Sequence, residues 1–242
     1  GIVCAGMLWG SPVAVKVPRK TESTKDAVKK LSAFCNELRV LRHIRHKHIV
    51  AFHGACIEPS SGELALIFEL INGVVLNEYI QKTLRVGEDV LVRTRLLFDV
   101  SSALTYLHGL EPSVVHGDIK AGNVMVELLQ GGARAKVLDL GLARRVTKQA
   151  KPLGGTRAWV APEVRRRLGG QASDADLKPQ PSADVFSFGV LTHFVMTGQM
   201  PAARGAPLSS AWALDMPRRD ELMCLFEDCM NRTPGARPSM PS

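Results

Sequence analysis

The sequence has few cysteines, few aromatic residues and no long apolar run. Its five cysteines, Cys4, Cys35, Cys56, Cys224 and Cys229, are odd in number and include no CxxC pair. That excludes a disulfide scaffold and a zinc module, and it points to a reduced, intracellular, cytoplasmic protein. Aromatics are only 5% of the chain, and the two dense basic spots, 39–48 and 165–167, are not interleaved with them. The net charge of +8 therefore reads as solvated surface, and no nucleic acid is expected as a partner. The longest apolar candidate, 186–196, is broken by Ser187, Gly189, Thr192 and His193. It falls short of the ~18–20 residues a membrane helix needs, so no membrane contact is expected within this stretch. An initiator methionine is also missing: the chain opens at Gly1-Ile2-Val3 and stops at Pro241-Ser242. It is expected to be a piece cut at both ends, so the lack of a signal peptide carries no weight.

What is there is an ordinary globular composition, with 242 residues, 45% hydrophobic and 22% charged. Disorder and collagen-like structure are excluded, and one large domain or two small ones can bury a core. The first seventy residues read mainly as strands. Val13-Ala14-Val15-Lys16-Val17 alternates and is β-branched, and 49–52 and 64–68 are apolar runs of strand length. Between them, Ser23-x-x-Asp26 resembles a capping box, followed by Val28, Leu31, Phe34 or Cys35, Leu38 and Leu41 at helical spacing. After Asn72-Gly73 the pattern becomes helical. Leu97, Val100, Leu104 and Leu107 share one face of a helix ending near Gly109, and Leu222, Leu225, Phe226 and Cys229 do the same near the end. Phe188, Leu191 and Val195 mark a third helix, apolar nearly all round, which implies central burial. Val124-Met125-Val126 and Ala135-Lys136-Val137-Leu138 read as two short strands with Gly131-Gly132 as their turn, and 169–182 reads as a loop.

The residues that carry chemistry stand in three short segments in fixed order. They are His116-Gly117-Asp118-Ile119-Lys120-Ala121-Gly122-Asn123, then Asp139-Leu140-Gly141, then Ala161-Pro162-Glu163. Upstream lie Lys16 on its strand and Glu37 on the first helix. A hairpin brings its two ends together, so Asn123 before it and Asp139 after it can converge. A carboxylate and an amide are hard oxygen ligands that suit Mg²⁺, with substrate phosphates completing the shell. Asp118 and Lys120 alternate along one loop and can point to the same side. They offer an acceptor for a hydroxyl proton and a cation for a phosphoryl group, and phosphoryl transfer needs little more than positioning and charge neutralisation.

These motifs, in this order, resemble the eukaryotic protein kinase domain over nearly the whole chain. The resemblance implies an α+β, two-lobed fold. A small antiparallel sheet with one helix would span 1–70, and a mainly helical lobe 71–242, with ATP in the cleft between. It implies that Lys16 grips the α/β-phosphates and that Glu37 is its ion-pair partner; the competing reading of Glu37 is a solvated helix carboxylate. Asp118 falls at the catalytic base, and Asn123 and Asp139 at the Mg²⁺ ligands. Lys120 matches the lysine typical of serine/threonine kinases. Thr156 matches the threonine that holds Asp118 and substrate; otherwise it is a loop hydroxyl. Glu163 would pair with Arg237, and Asp184 would anchor the catalytic-loop backbone. Phe68 would be the gatekeeper. The backbones of Glu69 and Ile71 would bond the adenine edge without need of their side chains, and Val3, Ala14 and Met125 would sandwich the ring.

Three departures stand beside the match. Gly1 resembles the last glycine of a glycine-rich loop cut short, Gly117 replaces the arginine that reads an activation-segment phosphate, and Leu140 replaces a phenylalanine. His116-Gly117-Asp118 and Asp139-Leu140-Gly141 resemble the tyrosine-kinase-like group, whose members mostly phosphorylate serine and threonine. The expected activity is transfer of the γ-phosphoryl group of ATP to a protein serine or threonine hydroxyl. The alternative is a pseudokinase that binds nucleotide or scaffolds.

Overall fold

The structure, a computed structural model, describes residues 2–18, 24–57, 64–83, 89–170, 178–201 and 219–240. Gly1, Ser23 and the side chains of Asp26, Val28 and Leu31 lie outside what it describes.

The alternating run at 13–17 forms β2 (Ser11–Val17), paired antiparallel with β1 (Ile2–Leu8). Their two-residue turn is Trp9-Gly10, both at positive φ, which matches the twist of a tight hairpin. β4 (Leu64–Glu69) pairs with β2, and β3 (Phe52–Ile57) with β4, giving the order β1-β2-β4-β3. The strand expected at 49–52 is corrected: it begins only at Phe52. Ile49 instead makes an isolated parallel bridge to Val137, and the Val50 amide donates to the Val137 carbonyl at 3.0 Å. The backbone groups of 48–50 are claimed by a strand far along the chain, so this run is a buried strap between two sheets.

Helix α1 (Thr24–Leu41) buries Phe34, Val40 and Leu41, and with them Glu37. Beyond Glu69 come β5 (Gly73–Val75), α2 (Leu76–Lys82) and α3 (Val90–His108). The expected stripe of α3 is buried, and Gly109 caps its end. Two charged residues, Arg93 and Asp99, are buried on the same helix. Then follow β6 (Val114–Val115), β7 (Val124–Leu129), β8 (Gly132–Val137), β9 (Arg144–Arg145) and α4 (Pro162–Leu168). The β7–β8 turn is Gln130-Gly131, because Gly132 already pairs with Leu129; Gly131 carries the positive φ. β5, β7 and β8 form a second sheet, and β6 pairs with β9.

Helix α5 (Pro181–Thr197) is buried without a break from Ala183 to Thr197, as its all-round apolar pattern implies. It also shortens the expected loop at 169–182, of which 171–177 lies outside the described residues. In α6 (Arg219–Cys229), Phe226 and Cys229 are buried but Leu225 is exposed, on the edge of the stripe rather than in it. One buried cluster joins Phe34 and Leu66 through Ile49 and Val137 to Leu104 and Leu191, so the sheet-rich part and the helical part share a core. This is the two-lobed α+β arrangement. Among the described residues no helix is long and apolar enough to cross a membrane.

Candidate active site

Two clusters of charged side chains face the junction of the two parts. In the first, Lys16 Nζ on β2 donates to Glu37 Oε1 at 2.8 Å and Oε2 at 2.9 Å, and to Asp139 Oδ1 at 2.8 Å. Glu37 is 2% exposed, so the solvated reading of it is excluded. Burial alone would lower the pKa of Lys16, but the two carboxylates outweigh it and raise it, so the ammonium stays charged. Burial lifts the Glu37 carboxyl, and Lys16 offsets part of that lift. The Asp139 side chain is 48% exposed, and the partial desolvation of its inner oxygen is outweighed by Lys16 and the Gly141 amide, which hold it below the usual carboxylate range. Asp139 sits in the left-handed region at φ 55°, a conformation that costs a non-glycine residue energy and aims this carboxylate back at Lys16.

In the second cluster Asp118 Oδ1 accepts from the Thr156 amide and hydroxyl, both at 2.8 Å. Its Oδ2 accepts from Lys120 Nζ at 2.7 Å and Asn123 Nδ2 at 2.9 Å. Lys120 Nζ also reaches Thr156 Oγ1 at 2.7 Å, so the loop-hydroxyl reading of Thr156 is set aside. A carboxylate has about four lone-pair sites, and here four donors occupy them. The clusters are joined where the sequence expected: the Leu138 amide, next to Asp139, donates to the Asn123 carbonyl at 2.8 Å at the mouth of the β7–β8 hairpin.

Asn123 spends its amide hydrogens on Asp118, leaving Oδ1 as its remaining acceptor. Asp139 Oδ1 is taken by Lys16 and Gly141, and its Oδ2 has no donor among the described residues. Two unclaimed oxygens, on segments that the Leu138–Asn123 bond brings together, fit Mg²⁺, which takes one or two protein ligands and completes its shell with substrate phosphates and water.

The support behind the catalytic loop is buried. Asp184 on α5 accepts from the His116 amide at 2.7 Å, the Gly117 amide at 2.8 Å and His108 Nε2 at 2.9 Å. Burial disfavours its charge, but those bonds and the nearby His108 and His116 prevail and hold its pKa below the usual range. His116 is wholly buried. Its Nδ1 accepts from the Asp118 amide at 3.2 Å, so its Nε2 donates to the Leu138 carbonyl at 2.9 Å and ties the two clusters together. Gly155, at φ +126°, has no room for a side chain: a Cβ would lie 2.5 Å from Val160 and 2.7 Å from the Gly117 carbonyl. That approach is what brings Thr156 onto Asp118. Arg237 donates to both Glu163 oxygens, at 2.7 and 2.9 Å, as expected for this pair.

The residues expected around the base are placed less closely. Val3 pairs in register with Lys16, and Ala14 with Phe68, so all four share one sheet face. Val3 is 63% exposed and thus no core residue. Met125 lies in the second sheet, opposite Lys136 and Val75. The Ile71 side chain is in the core. The Glu69 side chain, which the adenine edge would not need, has work of its own. Oε1 accepts from the Ala51 amide at 2.7 Å and Oε2 binds Lys136 Nζ at 2.5 Å, clamping β4 to β8. Sequence reasoning missed this clamp, and also Asn36 on α1, whose Nδ2 donates to the Ala143 carbonyl at 3.0 Å. The only available signal was a charged residue, Lys136, amid an apolar strand.

Residues 3–242 match the protein kinase domain family. The chain belongs to that family. Among curated relatives it is 31% identical over 248 residues to a probable serine/threonine-protein kinase of Dictyostelium discoideum, covering 99% of this chain and 22% of that protein. It is 32% identical to mitogen-activated protein kinase kinase kinase 10 of Homo sapiens, covering 97% of this chain and 25% of that protein. With serine/threonine-protein kinase CTR1 of Arabidopsis thaliana it shares 30% identity over 95% of this chain and 28% of that protein. The chain thus spans about a quarter of the length of these relatives. A protein kinase domain works on ATP with Mg²⁺ and a protein substrate.

Proposed function

We propose that this kinase domain transfers the γ-phosphoryl group of ATP to serine or threonine hydroxyls of a protein, inside the cell. The observation that carries the reading is the closed set of bonds on Asp118 from Lys120, Asn123 and Thr156. The lysine and threonine are those the family uses for alcohol substrates, and the relatives named serine/threonine kinases support the same class. Five free cysteines support a reduced, cytoplasmic setting. We retain the division of the lobes at residues 70 and 71.

In the reaction the substrate hydroxyl oxygen attacks Pγ, the bond from Pγ to the β-phosphate oxygen breaks, and ADP leaves. The hydroxyl proton passes to Asp118 Oδ2. Since the four sites on Asp118 are filled, one donor must yield to the hydroxyl. Lys120 is the one that can, because its long side chain is partly exposed and it is the one cation among the donors. Turning toward the γ-phosphoryl group, it neutralises charge there and frees Oδ2, while Thr156 keeps Oδ1 oriented. Lys16, fixed by Glu37, neutralises the α/β-phosphates. Asn123 and Asp139 would hold Mg²⁺, which supplies charge neutralisation between the phosphates.

The test is Mg²⁺-dependent phosphate incorporation by the full-length protein into a peptide with neutral flanks that carries one serine and one tyrosine. Lys16→Met is expected to lower it by at least ~10²-fold, and the product is expected to be phosphoserine. Equal incorporation by the variant, or label on tyrosine alone, contradicts the reading.

A further inference from the structure

Building on the protein-kinase reading, we propose that the substrate hydroxyl of this enzyme is flanked by acidic residues, recognised chiefly by Arg157. The segment from Leu140 to Gly170, which a bound peptide must cross, carries eight basic side chains: Arg144, Arg145, Lys148, Lys151, Arg157, Arg165, Arg166 and Arg167. Its one acidic residue, Glu163, is held by both nitrogens of Arg237. The carboxylates bordering the segment serve the reaction itself: Asp118 receives the acceptor hydroxyl, and Asp139 is paired with Lys16 through Oδ1 and left with Oδ2 for Mg²⁺. Among the described residues of this segment, no acidic side chain is left to hold a basic substrate.

Position singles out Arg157. The Trp159 and Val160 amides both donate to the Thr156 carbonyl, at 2.8 and 3.2 Å, so 156–160 is a tight turn with Arg157 and Ala158 exposed at its crest. The root of that turn is Thr156, bonded to Asp118 Oδ1. A hydroxyl placed on Asp118 therefore lies beside the residue that precedes Arg157. An extended peptide advances about 3.3 Å per residue, so a long arginine side chain covers about two residues on either side of the acceptor. Arg157 makes no hydrogen bond or ion pair among the described residues; neither do Lys151 and Arg166, both exposed on the same stretch. A guanidinium offers a carboxylate two parallel bonds, and a desolvated pair of this kind discriminates against a lysine at the same place. The uncharged Ala121 and Gly122 of the catalytic loop add no competing acid.

The test uses three serine peptides that differ only in the two residues on each side of the acceptor: aspartate, alanine or lysine. With the full-length protein, kcat/KM is expected to rank aspartate over alanine by about tenfold, with lysine lowest, and the gap should shrink as salt rises. Arg157→Glu is expected to abolish the aspartate preference while leaving the alanine peptide and the KM for ATP within about twofold. An aspartate peptide no better than the alanine peptide overturns the proposal and leaves the kinase reading intact. If no peptide is phosphorylated, the kinase reading falls, and fluorescence anisotropy decides the proposal: it stands if the aspartate peptide binds and Arg157→Glu releases it, and fails otherwise. Tighter Arg157-dependent binding to duplex DNA or phosphatidylserine vesicles than to the aspartate peptide also overturns it.

Discussion

At the scale of single residues, the site depends on glycines as much as on its charges. Gly117 sits at φ +78°, and a Cβ there would lie 3.1 Å from both the Leu142 carbonyl oxygen and a Leu153 methyl. The space where the family carries an arginine side chain is filled by Leu153, which is 5% exposed. Restoring the family residue should therefore harm the fold. Gly117→Arg is expected to cost about 2 kcal/mol or more from the left-handed backbone and the crowding, seen as a lower midpoint in chemical denaturation. An unchanged midpoint contradicts the packing described. The departure was legible in the sequence, but its reason was not, because Leu153 lies thirty-six residues away and nothing local links the two.

At the scale of elements, helices and hairpins do the positioning. The β7–β8 hairpin sets Asn123 beside Asp139, α1 holds Glu37 under Lys16, and α5 reaches back with Asp184 to fix the backbone of the catalytic loop. Asp184→Asn replaces one acceptor of two amides and a histidine by an amide that also donates. It is expected to destabilise the domain by about 2–4 kcal/mol. Its charge also has a pH signature. The folded value lies below the ordinary 3.8, so the unfolded chain binds more protons in acid. The stability due to Asp184 is present above about pH 4 and is lost as pH falls below it. Denaturation between pH 2.5 and 5 should show a shallower pH dependence for Asp184→Asn than for the wild type; parallel curves contradict the role. The elements themselves were largely legible. The 3.6-residue stripe of α3 and the all-round apolar α5 follow from their own periodicity. The run at 49–52 did not, since its hydrophobicity serves a bridge to Val137 and periodicity reports burial rather than partners.

At the scale of the whole molecule, the ordered motifs made the site legible before the fold. Lys16, Glu37, Asp118, Lys120, Asn123, Asp139 and Thr156 fall into the two clusters their order implied. What the order could not reveal is the buried scaffold between them. His116 spans the clusters, and the Glu69–Lys136 clamp joins the first sheet to the second; each pairs groups distant in sequence with no local pattern to announce it. The central claim is that Asp118 orients the hydroxyl and takes its proton, while nucleotide binding rests on the other cluster. Its most direct test is single-turnover phosphoryl transfer by Asp118→Asn, with ATP affinity measured in parallel. We expect transfer to fall by at least ~10²-fold with ATP affinity within a few-fold of the wild type. Transfer at the wild-type rate would contradict the account.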